Sequence, residues 1–307
     1  MKNKALIIPA GIFVLLILAW LFFEYRYGQQ GRTTLPDDLI AVDSSSLHGI
    51  DIREGIGSDP VVELKKFDKS WRVYIGNDVW ADTDEEQMHL TLRHLNRLRP
   101  ESLAATSEND HQRLGVDREA ILITLKHEGR EDIEFYVGDY DFRDKNRVVS
   151  YFRKFGDHNV YGIQDYLTAS LGETDLEAWR NPKLMDLSPE KINRLSFSFA
   201  EQEDYFLEKE NSVWKLNNEQ SVNINRFNEW VDNFDEVFSE DFINPDNYEQ
   251  LSGPVASLTI LKEEEETIKG YLLNDEFVLS SDANHQNYFR VEEEFFKLLF
   301  TPPERFY

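Results

Sequence analysis

The chain contains no cysteine, which excludes disulfides, thiolate zinc sites and a cysteine nucleophile. Basic charge is scarce. Across 307 residues, 33 Lys and Arg stand against 58 Asp and Glu, a net charge of −25. The imbalance grows along the chain: residues 1–180 carry 22 basic and 31 acidic side chains, residues 181–307 carry 11 and 27. A nucleic-acid binder needs a basic face for phosphates, so no nucleic-acid partner is expected. The same acidity argues against docking on anionic lipid through the folded part.

Signatures of catalysis are also missing. Seven histidines occur, but none forms a His-x-x-x-His or His-Glu-x-x-His pattern. His89 and His94 are five positions apart, so on a helix they point about 140° apart and do not share a metal. The nearest approach to a phosphate loop, "GIGSD" at 55–59, lacks both the lysine and the spacing. There is no Gly-x-Ser-x-Gly elbow. With so many acids, choosing a carboxylate pair is arbitrary. No catalytic, cofactor-binding or metal residue is assigned, no cofactor is implied, and the protein is expected not to be an enzyme.

Long apolar runs are absent after the first two dozen residues. Residues 5–23, "ALIIPAGIFVLLILAWLFF", hold no charge and as a helix span about 28 Å, close to the hydrocarbon thickness of a bilayer. A cleaved signal peptide has a shorter apolar core and a small-x-small site, and the exit "WLFFEYRYGQQG" has none. Residues 1–23 therefore read as an uncleaved single-pass anchor, with Lys2 and Lys4 favouring an inside amino terminus. The bulk of the chain is then expected outside a bacterial cytoplasmic membrane, periplasmic or extracytoplasmic. Residues 24–42 read as a stalk.

What remains alternates apolar and polar residues with the period of strands. "HGIDIRE", "VVELKKF" and "WRVYI" lead to a helix at "TDEEQMHLTLRHLNRL", with Thr83 and Glu86 as a capping box and Met88, Leu92, Leu95 and Leu98 as an apolar stripe. More strands follow. The same order then returns: three strands, a helix N-capped by Asn223 with the stripe Phe227, Val231, Phe234 and Val237, then strands again. Matched landmarks fall at slowly decreasing offsets: Leu47 to Ile192, Trp71 to Trp214, Met88 to Phe227, Ile121 to Leu258, and Tyr151-Phe152-Arg153 to Tyr288-Phe289-Arg290. The expected fold is α+β: a transmembrane helix, then two tandem duplicated units at 43–172 and 187–307, joined by a connector at 173–186. Each unit is expected to be an antiparallel sheet with a covering helix, and Tyr151 to superpose on Tyr288.

Three polar stretches have two readings each. "GDYDFRDKN" offers Asp139, Asp141 and Asp144 either as a hairpin turn or as a weak divalent-cation site. "KEEEET" at 262–267 is a solvated hairpin tip or a docking patch for a basic partner. Arg153 and Arg290 pair with carboxylates across a sheet or contact a partner.

The markers Trp71, Leu114-Gly115, Gly138 and Tyr161-Gly162, with "EAWRNPKLMDLSPEKINRLSF" between the units, are mostly structural. The chain resembles a bacterial domain-of-unknown-function family (DUF4340-like), membrane-anchored and often encoded beside gliding-motility-type ABC transporter subunits. The second unit departs from the pattern, since "LSGPV" replaces "LGVD". The resemblance implies a non-catalytic membrane-tethered accessory or interaction module, with ABC transporter subunits as protein partners. The alternatives are an extracytoplasmic lipid- or glycan-binding protein using the groove between the units, and a hydrolase of unrecognised type.

Overall fold

The computed structural model describes residues 35, 39–40, 42, 45–143 and 147–307. The anchor at 1–23 and most of the stalk lie outside these residues. Among the described residues, no helix is long and apolar enough to cross a membrane.

Nine strands form the first sheet: β1 (Leu47–Glu54), β2 (Val62–Phe67), β3 (Ser70–Gly76), β4 (Val79–Asp82), β5 (Ser102–Ala105), β6 (Ile121–His127), β7 (Ile133–Arg143), β8 (Arg147–Lys154) and β9 (Val160–Ile163). Their spatial order is β4-β3-β2-β1-β6-β7-β8-β9-β5. After the short β10 (Lys183–Met185) comes a second sheet. It is built from β11 (Arg194–Phe199), β12 (Tyr205–Glu210), β13 (Val213–Leu216), β14 (Gln220–Ser221), β16 (Ala256–Leu261), β17 (Glu265–Leu273), β18 (Glu276–Ser281) and β19 (Tyr288–Val291). Its order is β14-β13-β12-β11-β16-β17-β18-β19, and β15 (Val237–Phe238) pairs with β10 outside it. Every named strand pair is antiparallel, for instance Ile50 against Leu125 in the first sheet and Leu195 against Ile260 in the second.

The α+β expectation is corrected by this architecture. Strand makes up 42 % of the described residues against 20 % helix, and the two large antiparallel sheets dominate. Among the described residues the α-helices are short: α1 (Glu85–Asn96), α2 (Ile224–Val231) and α3 (Glu293–Leu299). The second expected helix stops early because residues 232–234 tighten into a 3₁₀ turn and Val237 enters β15, where backbone pairing with β10 replaces helical bonds.

Alternation explains the sheets. In β16, Ala256, Leu258 and Ile260 are buried while Ser257 and Thr259 between them are half-exposed. Hairpins close on pairs of residues with positive φ: Asn77-Asp78, Asn211-Ser212 and Asn274-Asp275. This is the chemistry of tight primed turns, in which asparagine and aspartate tolerate the left-handed region. Each sheet buries its own core. Ile50, Ile52, Leu125, Phe135 and Phe152 line the first, and Leu195, Phe197, Phe227, Trp230, Leu258 and Phe306 the second. Helix α1 covers the first core through Met88 and Leu95, but its cap is Asp84, whose side chain accepts from the Gln87 amide at 2.7 Å. Thr83 is drawn away and donates to the Trp71 carbonyl at 3.0 Å. Asn223 caps α2 as its sequence position suggests.

The strand order of the first sheet recurs in the second, yet the pairing revises the matched positions. Ile52 faces Ile123, and Phe197 faces Leu258, so Leu258 corresponds to Ile123 rather than to Ile121. Phe152 faces Tyr161, and Leu279 faces Phe289, so Phe289 corresponds to Tyr161 in β9. The two Tyr-Phe-Arg triplets therefore sit in non-equivalent strands, β8 and β19. The β7-β8 hairpin of 11 and 8 residues is longer than the β17-β18 hairpin of 9 and 6, which shifts the following strand along the sequence.

The two arginines differ accordingly. Arg153 is buried, donates to the carbonyls of Val116 at 2.9 Å and Asp157 at 3.0 Å, and stacks on Tyr136. Arg290 is exposed and pairs with Asp241 at 2.8 Å and Glu276 at 2.9 Å. The carboxylate expectation thus describes Arg290, whereas backbone carbonyls take that role for Arg153.

Candidate functional site

The two sheets meet through a buried polar junction. Asp82, at the end of edge strand β4, donates its amide to the His285 carbonyl at 3.0 Å, and its carboxylate accepts the His285 amide at 2.7 Å. Its own carbonyl accepts from the Asn181 amide and from the Asn287 side chain. Asn284 and Asn287 lie in the β18-β19 loop and are 2 % and 0 % exposed. Asn284 donates to the carbonyls of Asn181 at 3.0 Å and Lys183 at 2.7 Å, and accepts from Asn287 at 2.6 Å.

Arg180 completes this clasp. It donates to Asn287 Oδ1 at 3.0 Å and to the Tyr248 hydroxyl at 3.3 Å, and its guanidinium lies 3.9 Å from the Phe242 ring centre. Burial pulls its basicity down, opposed by Tyr248. A buried guanidinium held by neutral groups costs desolvation, and these hydrogen bonds and the aromatic face offset that cost. Asn77 donating to Asp246 at 2.7 Å adds a second link between the halves.

A cleft of about 990 Å³ opens beside the clasp. Asp84 and Glu86 from the start of α1 line it together with Lys183, Asp186, Lys262 and Glu266. Phe238, 58 % exposed, stands on its rim, and Leu184 and Met185 form its floor. The two lysines are engaged: Lys183 with Asp186 at 3.2 Å, Lys262 with Glu266 at 3.0 Å and the Asp186 carbonyl at 2.6 Å. Burial opposes ionisation of Asp186, but hydrogen bonds from Ser188 and Lys183 outweigh it and hold the carboxyl below its usual range.

A serine, a histidine and an aspartate also come together. Ser170 Oγ lies 2.6 Å from His94 Nδ1, and His94 Nε2 lies 3.3 Å from Asp165. Ser170 is 0 % exposed and packed at the end of a 3₁₀ turn, so a substrate carbonyl has no approach to its oxygen. The relay ties the last turn of α1 to the segment after β9. Burial lowers the basicity of His94, Arg93 and Arg97 lower it further, and Asp165 opposes them. A histidine whose folded-state pKa is depressed leaves the unfolded chain binding more protons, so its stabilisation is complete above about pH 6.5 and is lost as pH falls below that. Urea midpoints of the wild type are expected to fall through this window more steeply than those of His94→Gln. Equal slopes would remove the assignment.

Asp141 accepts the Tyr151 hydroxyl at 2.5 Å, Asp144 lies outside the described residues, and among the described residues no group of three His, Asp or Glu could hold a metal. His89 and His94 part company, His94 being buried and His89 exposed. The junction residues Arg180, Asn284 and Asn287 escape sequence reasoning, because amide side chains in loops carry no periodic signal. The one available sign is Arg180-Asn181 inside the connecting stretch "EAWRNPKLM".

The family markers form a contact of their own. A Cβ on Gly138 in β7 would lie 2.3 Å from the Leu114 carbonyl oxygen and 2.5 Å from Val116. Gly115 has φ +65°, and a Cβ there would meet the Asp139 amide at 2.8 Å. The two glycines let the Leu114–Val116 turn lie directly against β7.

Neither the curated proteins nor the solved structures include a match to this chain. One family does match, over residues 71–254, from Trp71 in β3 through the junction segment to the approach of β16. That stretch is more than half of the chain and contains Arg180, Asn181 and the paired glycines, so the protein belongs to the family described as "Domain of unknown function (DUF4340)".

Proposed function

We propose that the protein is a non-catalytic, membrane-tethered interaction module, presenting a two-lobed head outside a bacterial cytoplasmic membrane as an accessory to an ABC-type transport or envelope machine. The observation that carries the reading is the clasp of Arg180, Asn284 and Asn287, which fixes the two sheets against each other and holds a cleft at their junction. A scaffold for binding needs such preorganisation, because a surface that is already ordered loses less entropy on association. The uncharged run at 5–23 supports the tether. The transporter partner comes from the family resemblance.

Affinity purification of the tagged full chain from mildly solubilised cells is expected to retain transporter subunits. Recovery of the bait alone, from cells that produce both, would overturn the assignment. A lipid or glycan in the cleft is the competing reading, since about 990 Å³ suits a small ligand. A mass shift of the gently extracted protein would favour it.

A further inference from the structure

We infer that the junction cleft is a docking groove for an extended, basic segment of a partner protein. The inference rests on the interaction-module reading and specifies the chemistry of its partner. The cleft is not an isolated hollow. Lys262, Glu266 and Ala283 also line a second depression of about 1020 Å³ over the β16-β17 turn, so the two hollows adjoin and together make an elongated surface feature. An elongated groove fits a chain in extended conformation better than a compact ligand.

Its lining is two-natured. Pro182 and the exposed ring of Phe238 provide apolar surface at the junction end, above the buried Leu184 and Met185. Along both hollows eleven carboxylates stand against three lysines. Two of those lysines are already spent on Asp186 and Glu266 inside the wall. An occupant that offers apolar side chains to the floor and cations to the walls matches both features. An acidic or neutral segment would leave the wall carboxylates uncompensated. Phe238 can also take a cation against its face. The run of acids at 262–267 thereby gains a place: it forms the outer end of the groove.

Fluorescence anisotropy on the detergent-solubilised full chain tests this, with two labelled hexapeptides, one alternating lysine with valine and one alternating glutamate with valine. The lysine peptide is expected to bind, and to weaken as salt rises; the glutamate peptide is expected not to bind. The pair Glu86→Lys and Glu240→Lys should weaken binding by roughly tenfold or more. Glu201→Lys with Glu203→Lys, which makes the same charge change away from the groove, should leave it within about twofold. Circular dichroism confirms that each variant is folded, and Glu86→Gln with Glu240→Gln serves if the reversal does not fold. Equal losses in the groove and control variants, or no binding of the lysine peptide, would overturn the inference. Peptide binding that persists while no transporter subunit copurifies would preserve the groove and discard the proposed assembly.

Discussion

Gly138→Ala is expected to destabilise the protein by about 3 kcal/mol, a large effect for one methyl group. The added carbon would sit 2.3 Å from a main-chain oxygen of Leu114, and a backbone cannot rotate aside as a flexible side chain does. Relief requires lifting the Leu114–Val116 turn off β7. That would uncover Leu114, Val116 and Tyr136, which pack together on the outer face of the first sheet, and would break the bond from Arg153 to the Val116 carbonyl. Gly129→Ala is the matched control. Its φ is +73° and a Cβ there meets nothing within 4 Å, so only the left-handed conformation resists it, at about 1 kcal/mol. Urea denaturation followed by tryptophan fluorescence separates the two. A midpoint shift for Gly138→Ala no larger than for Gly129→Ala would show that the turn moves freely.

Arg180→Ala is the second large effect, expected to cost about 3 kcal/mol. It strips a partner from Asn287 Oδ1 and from the Tyr248 hydroxyl and leaves the Phe242 face uncovered. Each core has its own set of buried side chains, so the lobes should then unfold less cooperatively. Calorimetry is expected to show one transition in the wild type and a broadened or split transition in the variant. A lower melting temperature with an unchanged single transition would mean that the clasp stabilises without coupling the lobes.

Much of the strand arrangement was legible because a half-buried strand writes its two faces into alternate residues. Ile50 with Ile52, and Leu195 with Phe197, can be read directly, and so can the stripes of α1 and the Asn223 cap. The register of equivalent strands was less legible. Alternation repeats every two residues, so a Tyr-Phe-Arg run fits many strands, and the triplets at 151–153 and 288–290 matched without being equivalent. Balance was the other difficulty. Helical stripes at Met88 and Phe227 made the helices look like half of the design, although α2 spans only 8 residues and one edge of it is 3₁₀. The junction was not readable. Asp82 meets His285 and Asn287 across more than 200 positions of sequence and Asn284 meets Asn181 and Lys183 across more than 100, and nothing local distinguishes an asparagine that holds two lobes together from one that makes a turn.

The clasp closes carboxamides, a phenol and peptide groups around one buried guanidinium, while the charges that line the groove beside it stand largely at the surface. Mobile ions screen attraction between exposed charges, most of all beyond a Debye length, but hardly touch short hydrogen bonds buried from solvent. Changing ionic strength should therefore alter how often the groove is filled without altering how the lobes are aligned. In surroundings whose salinity varies, the head would keep its geometry as a constant and let occupancy alone follow the medium.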